Sequence, residues 1–233
     1  MNVLGRRVAA EFVGTAFLVM AVVGSGVMAS RLSPDDAGLQ LLQNSLATGA
    51  ALVALIVALQ PVSASFNPVV TLVERALGMI DTGTTVALVA AQVLGGLAGT
   101  VAANLMFGLD AVTFSAHVRT GPPLWLGEVI ATVGLLVIIF GTVRSGRADR
   151  VAFAVGGYIT AAYWFTSSTS FANPAVTIAR TVTDTFAGIA PSSAPAFILA
   201  QLLGGAAGYV LVRFLYPPLA TRAVVPARRK VHS

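Results

Sequence analysis

Two asparagines, Asn67 and Asn173, each stand directly before a proline, and each is followed four residues on by a threonine, Thr71 and Thr177. Asparagine is a favoured helix N-cap and proline fits the first helical turn, so Asn67-Pro68-Val69 and Asn173-Pro174-Ala175 each mark a helix start. A helix start presents backbone N–H groups without internal partners and roughly half a positive charge. Two such starts facing one another would repel cations, while the asparagine amides offer donors to a neutral solute that accepts hydrogen bonds. No Ser/His/Asp arrangement or metal-ligand spacing accompanies them, and His117 and His232 are isolated. Neither an enzyme, a cofactor nor a metal is expected.

The elements that must position the two boxes repeat around them. Ala10-Glu11-Phe12-Val13-Gly14-Thr15 echoes Gly127-Glu128-Val129-Ile130-Ala131-Thr132, and the run Ala91 to Gly99 matches Ala200 to Gly208 almost letter for letter. Each half reads in order as a glutamate-bearing span, a second span, an Asn-Pro box, and a span with Gln92 or Gln201 ahead of paired glycines. The glutamines and glycines suit close helix packing with a satisfied inter-helix hydrogen bond.

Composition places these spans in a bilayer. Hydrophobic residues make up 56% of the 233 residues and charged residues only 10%, with a mean hydropathy of +0.85, far from a soluble domain. Spans of ~20 residues cross ~30 Å of hydrocarbon. They are expected near Val8–Ala29, Leu39–Leu59, Thr84–Phe107, Pro123–Val143, Val151–Phe165 and Pro195–Tyr216, the fifth being short. The first run is long, contains glycine and carries Glu11 within the repeat, so it reads as a span and not a cleaved signal. The absence of cysteine excludes disulfides.

Charge orients the spans. Arg6, Arg7, Arg75, Arg144, Arg147, Arg150, Arg213, Arg222, Arg228, Arg229 and Lys230 fall on one side, against Arg31, Arg119 and Arg180 on the other. The positive-inside rule then puts both termini in the cytoplasm of a multi-pass inner (plasma) membrane protein. Basic residues in short loops and a tail are topology signals, so no nucleic-acid partner is expected despite a pI near 10.4.

Three spans per half make the two repeats inverted, approximately residues 8–107 and 123–216, within one domain over 1–233 that ends in a basic tail, 217–233. The segments Asn67–Leu77 and Asn173–Val182 are too short to cross, and irregular backbone at such depth must line a cavity or lie within protein. Half-helices entering from opposite faces meet by their N-termini near the midplane. The fold class is all-α integral membrane, with six transmembrane helices, two re-entrant half-helices and an inverted repeat. In this arrangement the asparagine oxygens are expected to cap the opposing helix start.

The paired boxes and repeats resemble the aquaporin, or major intrinsic protein, family, in its bacterial metalloid- or glycerol-permeable branch. The resemblance covers Val8 to Tyr216 and implies an hourglass monomer with its own pore, lipid around it, small neutral solutes within it, and a homotetramer. It also implies that Glu11 and Glu128 accept hydrogen bonds from the backbone of the re-entrant loops. The pore midplane would be formed by Asn67, Pro68, Val69, Asn173, Pro174 and Ala175.

Departures from the family's pattern bear on selectivity. The arginine that follows the second box in many members is Val176 here, and Arg180 is one turn further, about 6 Å along the axis. Arg180 is expected at the outer end of the half-helix or in an inter-helix salt bridge. The span-two filter position, often Phe or Trp, is Thr48, with Ala47 the alternative register. The fifth-span position falls between Ala161 and Trp164. Trp164 is carried as the filter candidate, and Tyr163 and Trp164 serve equally as an interfacial belt. Ser170 occupies the loop position three before Asn173. Val69 replaces alanine and places two extra methyl groups beside the midplane.

A mouth framed by Thr48, Ser170 and Val176 is expected to be wide and weakly polar, suiting arsenite, antimonite and polyols. A general water or glycerol channel is the alternative. A proton-coupled secondary transporter belongs to another class and needs an ionisable residue deep in the membrane, for which Glu11 and Glu128 are the only acidic candidates within spans.

Overall fold

The computed structural model describes residues 2–216, all of its regular structure helical. The basic tail 217–233, including Arg222, Arg228, Arg229, Lys230 and His232, lies outside the described residues. Six long helices are α1 (Val3–Leu32), α2 (Ala37–Leu59), α4 (Thr82–Met106), α5 (Pro122–Arg144), α6 (Val151–Phe165) and α8 (Ala194–Leu215). Two short ones, α3 (Pro68–Ala76) and α7 (Pro174–Ala179), follow the Asn-Pro boxes. Among the described residues five helices are long and apolar enough to cross a membrane, while α6, with 15 residues and a 3₁₀ turn at Ala148–Arg150 before it, is the short span.

Local chemistry sets the helix starts. Asn2, Asp36 and Asp81 accept the backbone N–H groups of Gly5, Leu39 and Thr84 at 2.7, 2.8 and 2.9 Å, capping α1, α2 and α4. The expected first span lies within α1, which extends beyond it at both ends and begins at Val3, after the Asn2 cap. The second half-helix is six residues of α-helix followed by a 3₁₀ turn, Arg180–Val182.

Helix α1 lies on α4, and α5 on α8. A Cβ at Gly95 would strike the Phe12 backbone, and one at Gly99 the Ala16 backbone, so the two helices advance together in parallel. The counterpart pair repeats this contact: Gly204 approaches Val129 and Thr132, and Gly208 approaches Leu136. Backbones this close leave no room for a side chain, which is the reason for glycine at these positions. Helices α2 and α6 run antiparallel, with Gly49 against Gly156 and Thr160, and Ser45 against Trp164.

Large apolar side chains such as Phe17, Val86, Leu94, Phe153 and Leu203 stay exposed on the outside of the bundle. That surface suits lipid, where every backbone polar group is satisfied within its own helix. The polar residues Glu11, Glu128, Gln92 and Gln201 are instead wholly buried, between the long helices and the short ones.

Candidate functional site

The loops that lead into the two short helices are tightly turned. Phe66, Thr169, Ser170 and Ala172 have φ of 48°, 63°, 52° and 48°, a region that non-glycine residues seldom occupy. Such backbone persists only where surrounding structure over-determines it. Here buried carboxylates do so. Glu11 accepts Ser65 N at 2.9 Å, Phe66 N at 2.7 Å and the Ser63 hydroxyl at 2.6 Å, and Glu128 accepts Phe171 N at 2.9 Å and Ala172 N at 2.8 Å. Gln92 Nε2 donates both to Glu11 at 2.8 Å and to Thr71 Oγ1 at 2.9 Å, and Gln201 Nε2 joins Glu128 and Thr177 at 2.6 and 2.8 Å. The threonine of each box is thus tied, through glutamine, to the glutamate holding the loop. Sequence reading paired glutamine with glycine and missed this link, although the constant four-residue spacing from asparagine to threonine was its signal.

The turned loops aim the asparagines. Asn67 Oδ1 accepts Val69 N at 2.9 Å, and Asn173 Oδ1 accepts Ala175 N at 3.0 Å and Val176 N at 3.3 Å. Each oxygen therefore caps its own helix and not the opposing one, because an N-cap in extended backbone reaches only the N–H groups two or three residues on. The amide nitrogens make the connection across the midplane: Asn67 Nδ2 donates to Ala172 O, and Asn173 Nδ2 to Phe66 O, both at 2.7 Å. An amide NH2 carries two protons, so one on each asparagine remains uncommitted among the described residues.

A cavity of about 320 Å³ runs past both asparagines. At the end of the bundle that carries the N-terminus it is lined by Arg7, Gln60 and Glu74, and toward the opposite end by Thr48, Tyr163, Ser170, Val176 and Arg180. Its walls between are apolar, among them Leu18, Val22, Leu52, Val70, Leu135 and Val155. Pro68, Val69, Pro174 and Ala175 are buried behind the asparagines and outside this lining. Val69 points the other way from the sequence expectation: its Cγ1 fills the space where a Cβ on Gly205 would stand, 2.7 Å away, so its methyl groups seal α3 against α8 and leave the cavity alone.

Toward the far end, Thr48 lines the cavity and Ala47 does not. Thr48 Oγ1 lies 3.2 Å from the Tyr163 hydroxyl. Trp164 stands off the cavity, half-exposed, with its Nε1 donating to Ser45 Oγ at 3.2 Å. A one-residue step rotates a side chain by about 100° around a helix, enough to take the indole from the lining to the outer surface. Ser170 is buried in the lining, and its hydroxyl oxygen has no protein partner among the described residues.

Arg180 caps the end of the second half-helix, the first of the two places expected for it, and is not in an inter-helix salt bridge among the described residues. It is 3% exposed, lines the cavity, and has no carboxylate partner; the ion pair found among the described residues joins Arg150 and Asp149. Its Nε donates to Ala187 O, and its guanidinium carbon lies 3.5 Å from the centre of the Phe171 ring. The turn after α7 carries the side chain inward, and the loop between α4 and α5 clasps that turn through Ser115 N to Thr181 O at 3.0 Å and Thr113 N to Val182 O at 3.2 Å, and holds the segment beyond it through Ala190 N to His117 O at 2.7 Å. Arg119 of this loop donates to Gly188 O at 3.0 Å and also lies over Phe171, at 5.3 Å, with burial holding its guanidinium below the usual arginine range.

Inverted repeats, two half-helices meeting at capped asparagines, and a cavity threading between them define a membrane channel of the hourglass type. The chain belongs to the major intrinsic protein family, whose model matches residues 2–162 and 128–232. It is 51% identical over 216 residues to aquaglyceroporin AqpS of Rhizobium meliloti, covering 92% of each chain. It is 30% identical over 231 residues to aquaporin Z of Bradyrhizobium diazoefficiens, covering 90% of this chain and 93% of that one. The fold is shared with the aquaglyceroporin of Plasmodium falciparum at a TM-score of 0.68 and 18% identity, over 89% of this chain and 95% of that one. The chain is accordingly a multi-pass membrane protein of a channel family and not an enzyme.

Proposed function

We propose that this chain is a passive channel for small uncharged solutes, selective for polyhydroxy compounds of glycerol size, with arsenite and antimonite the leading substrates. The observation that carries the reading is the placement of Asn67 and Asn173 on one cavity, each amide with a proton to spare, where apolar walls leave few competing partners. A solute shedding water between such walls needs donors and acceptors at fixed points, which a compact neutral trihydroxide meets as glycerol does. Val176 at the position of the missing arginine, together with Thr48, Tyr163 and Ser170, favours an aperture set by small and hydroxyl-bearing groups. The likeness to an aquaglyceroporin at 51% identity supports passage of glycerol and water as well.

The channel is expected in the inner membrane with both termini cytoplasmic, as a homotetramer in which each subunit has its own pore. Glu11 and Glu128, the acidic residues within spans, give a proton-coupled transporter no support, because they spend their oxygens on loop N–H groups and glutamine, and neither lines the cavity. Stopped-flow uptake of water, glycerol and arsenite into proteoliposomes tests the reading. All three should pass, without saturating at low solute concentration and without response to a proton gradient. Flux of water alone would reduce the chain to a water channel, and proton-driven accumulation would make it a transporter.

A further inference from the structure

Losing arginine beside the second box does not leave the far mouth uncharged. Arg180 reaches the same cavity from the 3₁₀ turn that follows α7, and three contacts fix it there. Its backbone oxygen accepts Ile189 N at 3.2 Å, its Nε donates to Ala187 O, and the flat guanidinium rests on the Phe171 ring. These contacts use one face and one N–H of the fork. Among the described residues its terminal nitrogens have no protein acceptor, and no carboxylate neutralises the charge. A guanidinium remains ionised under all ordinary conditions and is weakly hydrated, so it can hold a charge where an ammonium would be costly.

We propose that Arg180 is a specificity-determining residue of the pore: it supplies the fixed positive charge of the far mouth and donates hydrogen bonds to the passing solute, while Thr48, Tyr163 and Val176 set the aperture. Charge selection and size selection are thereby divided between different residues. With a valine at 176, the narrow ring is free to admit bulky neutral solutes. With Arg180 one turn outward, cations still meet a like charge before they reach the half-helix starts. Phe171 does two things in this arrangement: its backbone N–H is gripped by Glu128, and its ring bears the guanidinium, so the loop support and the charge share one residue.

This inference rests on the channel reading, and the test separates the two. Wild type, Arg180→Gln, Arg180→Lys and the double variant Arg180→Gln/Val176→Arg are reconstituted, and glycerol flux is measured beside sodium and proton conductance. Arg180→Gln should pass glycerol at an altered rate, since a donor to the solute is lost, and should raise cation conductance about tenfold, the loss of one like charge near the path. Arg180→Lys should stay tight. The double variant should be tight to cations again but pass less glycerol, since the charge now stands in the narrow ring. It also serves if Arg180→Gln fails to insert, because it returns a guanidinium to the cavity: a cation leak through it would overturn the proposal. So would an unaltered cation barrier in inserted Arg180→Gln, or equal leaks in Arg180→Lys and Arg180→Gln. Wild type that passes no neutral solute would instead sink the channel reading itself.

Discussion

Thr48 of α2 and Tyr163 of α6 share a hydrogen bond of 3.2 Å between their hydroxyl groups, and both side chains line the cavity. The pair fixes a point on the pore wall where two antiparallel helices meet, with Gly49 and Gly156 letting the backbones close up beside it. A small residue at 48 is what allows the tyrosine hydroxyl to reach inward.

The first prediction follows from that pair. Thr48→Phe should reduce flux in order of solute size, arsenite and glycerol before water, because the ring would extend into the lining. Ala47→Phe, off the cavity, should alter stability and leave the ratio of fluxes unchanged. Stopped-flow measurement of the three solutes decides it, and a size-selective block by Ala47→Phe with inert Thr48→Phe would reverse the assignment.

Val176→Arg adds a guanidinium at the ring while Arg180 remains one turn away. Arsenite and glycerol flux should drop by about tenfold or more, and water flux by less, since a narrowed ring excludes bulky solutes first. Equal loss of all three in folded, inserted protein would deny this position a selective role.

At the midplane, Asn173→Asp replaces a donor to Phe66 O with an acceptor and adds a negative charge. Two unit charges about 4 Å apart interact by roughly 4 kcal/mol at an effective dielectric near 20, enough to turn a cation barrier into a favourable site. Wild type should carry no sodium or proton current and the variant should carry one. Electrophysiology that finds comparable currents in both would show that the barrier lies elsewhere.

Glu128→Ala leaves Phe171 N, Ala172 N and one Gln201 donor without an acceptor in a buried site. Each buried donor left unpaired costs about 1–3 kcal/mol, so the variant should lose stability by several kcal/mol, whereas Glu128→Gln, which keeps one acceptor oxygen, should lose less. Thermal denaturation in detergent gives the order. An Ala variant as stable as wild type would mean that the loop holds its shape without the carboxylate.

The span pattern, the repeat and the two helix starts were legible because each is written locally, in runs of apolar residues, in letter-for-letter echoes and in Asn-Pro pairs. The glutamates could be identified through their repeated context. What escaped was rotation about a helix axis and the path of loops. Whether Val69 faces the pore or α8 depends on Gly205, 136 positions away in the chain. Tyr163 and Trp164 differ by one residue and lie on different faces. The inward course of Arg180 is set by Phe171, Ala187 and the clasp of the loop between α4 and α5, none of which leaves a mark in the residues next to it.

The reciprocal bonds at the midplane bear on how the molecule is made. Asn67 finds its acceptor, Ala172 O, 105 residues later in the chain, and Asn173 reaches back 107 residues to Phe66 O. Synthesis runs from the N-terminus, so the first three long helices are made before the carbonyl that Asn67 needs. Until then the first re-entrant loop has its glutamate but not its opposite number. The two halves are therefore fastened to each other at their centre, and that mutual fastening of the two loops cannot form before the second loop has been made.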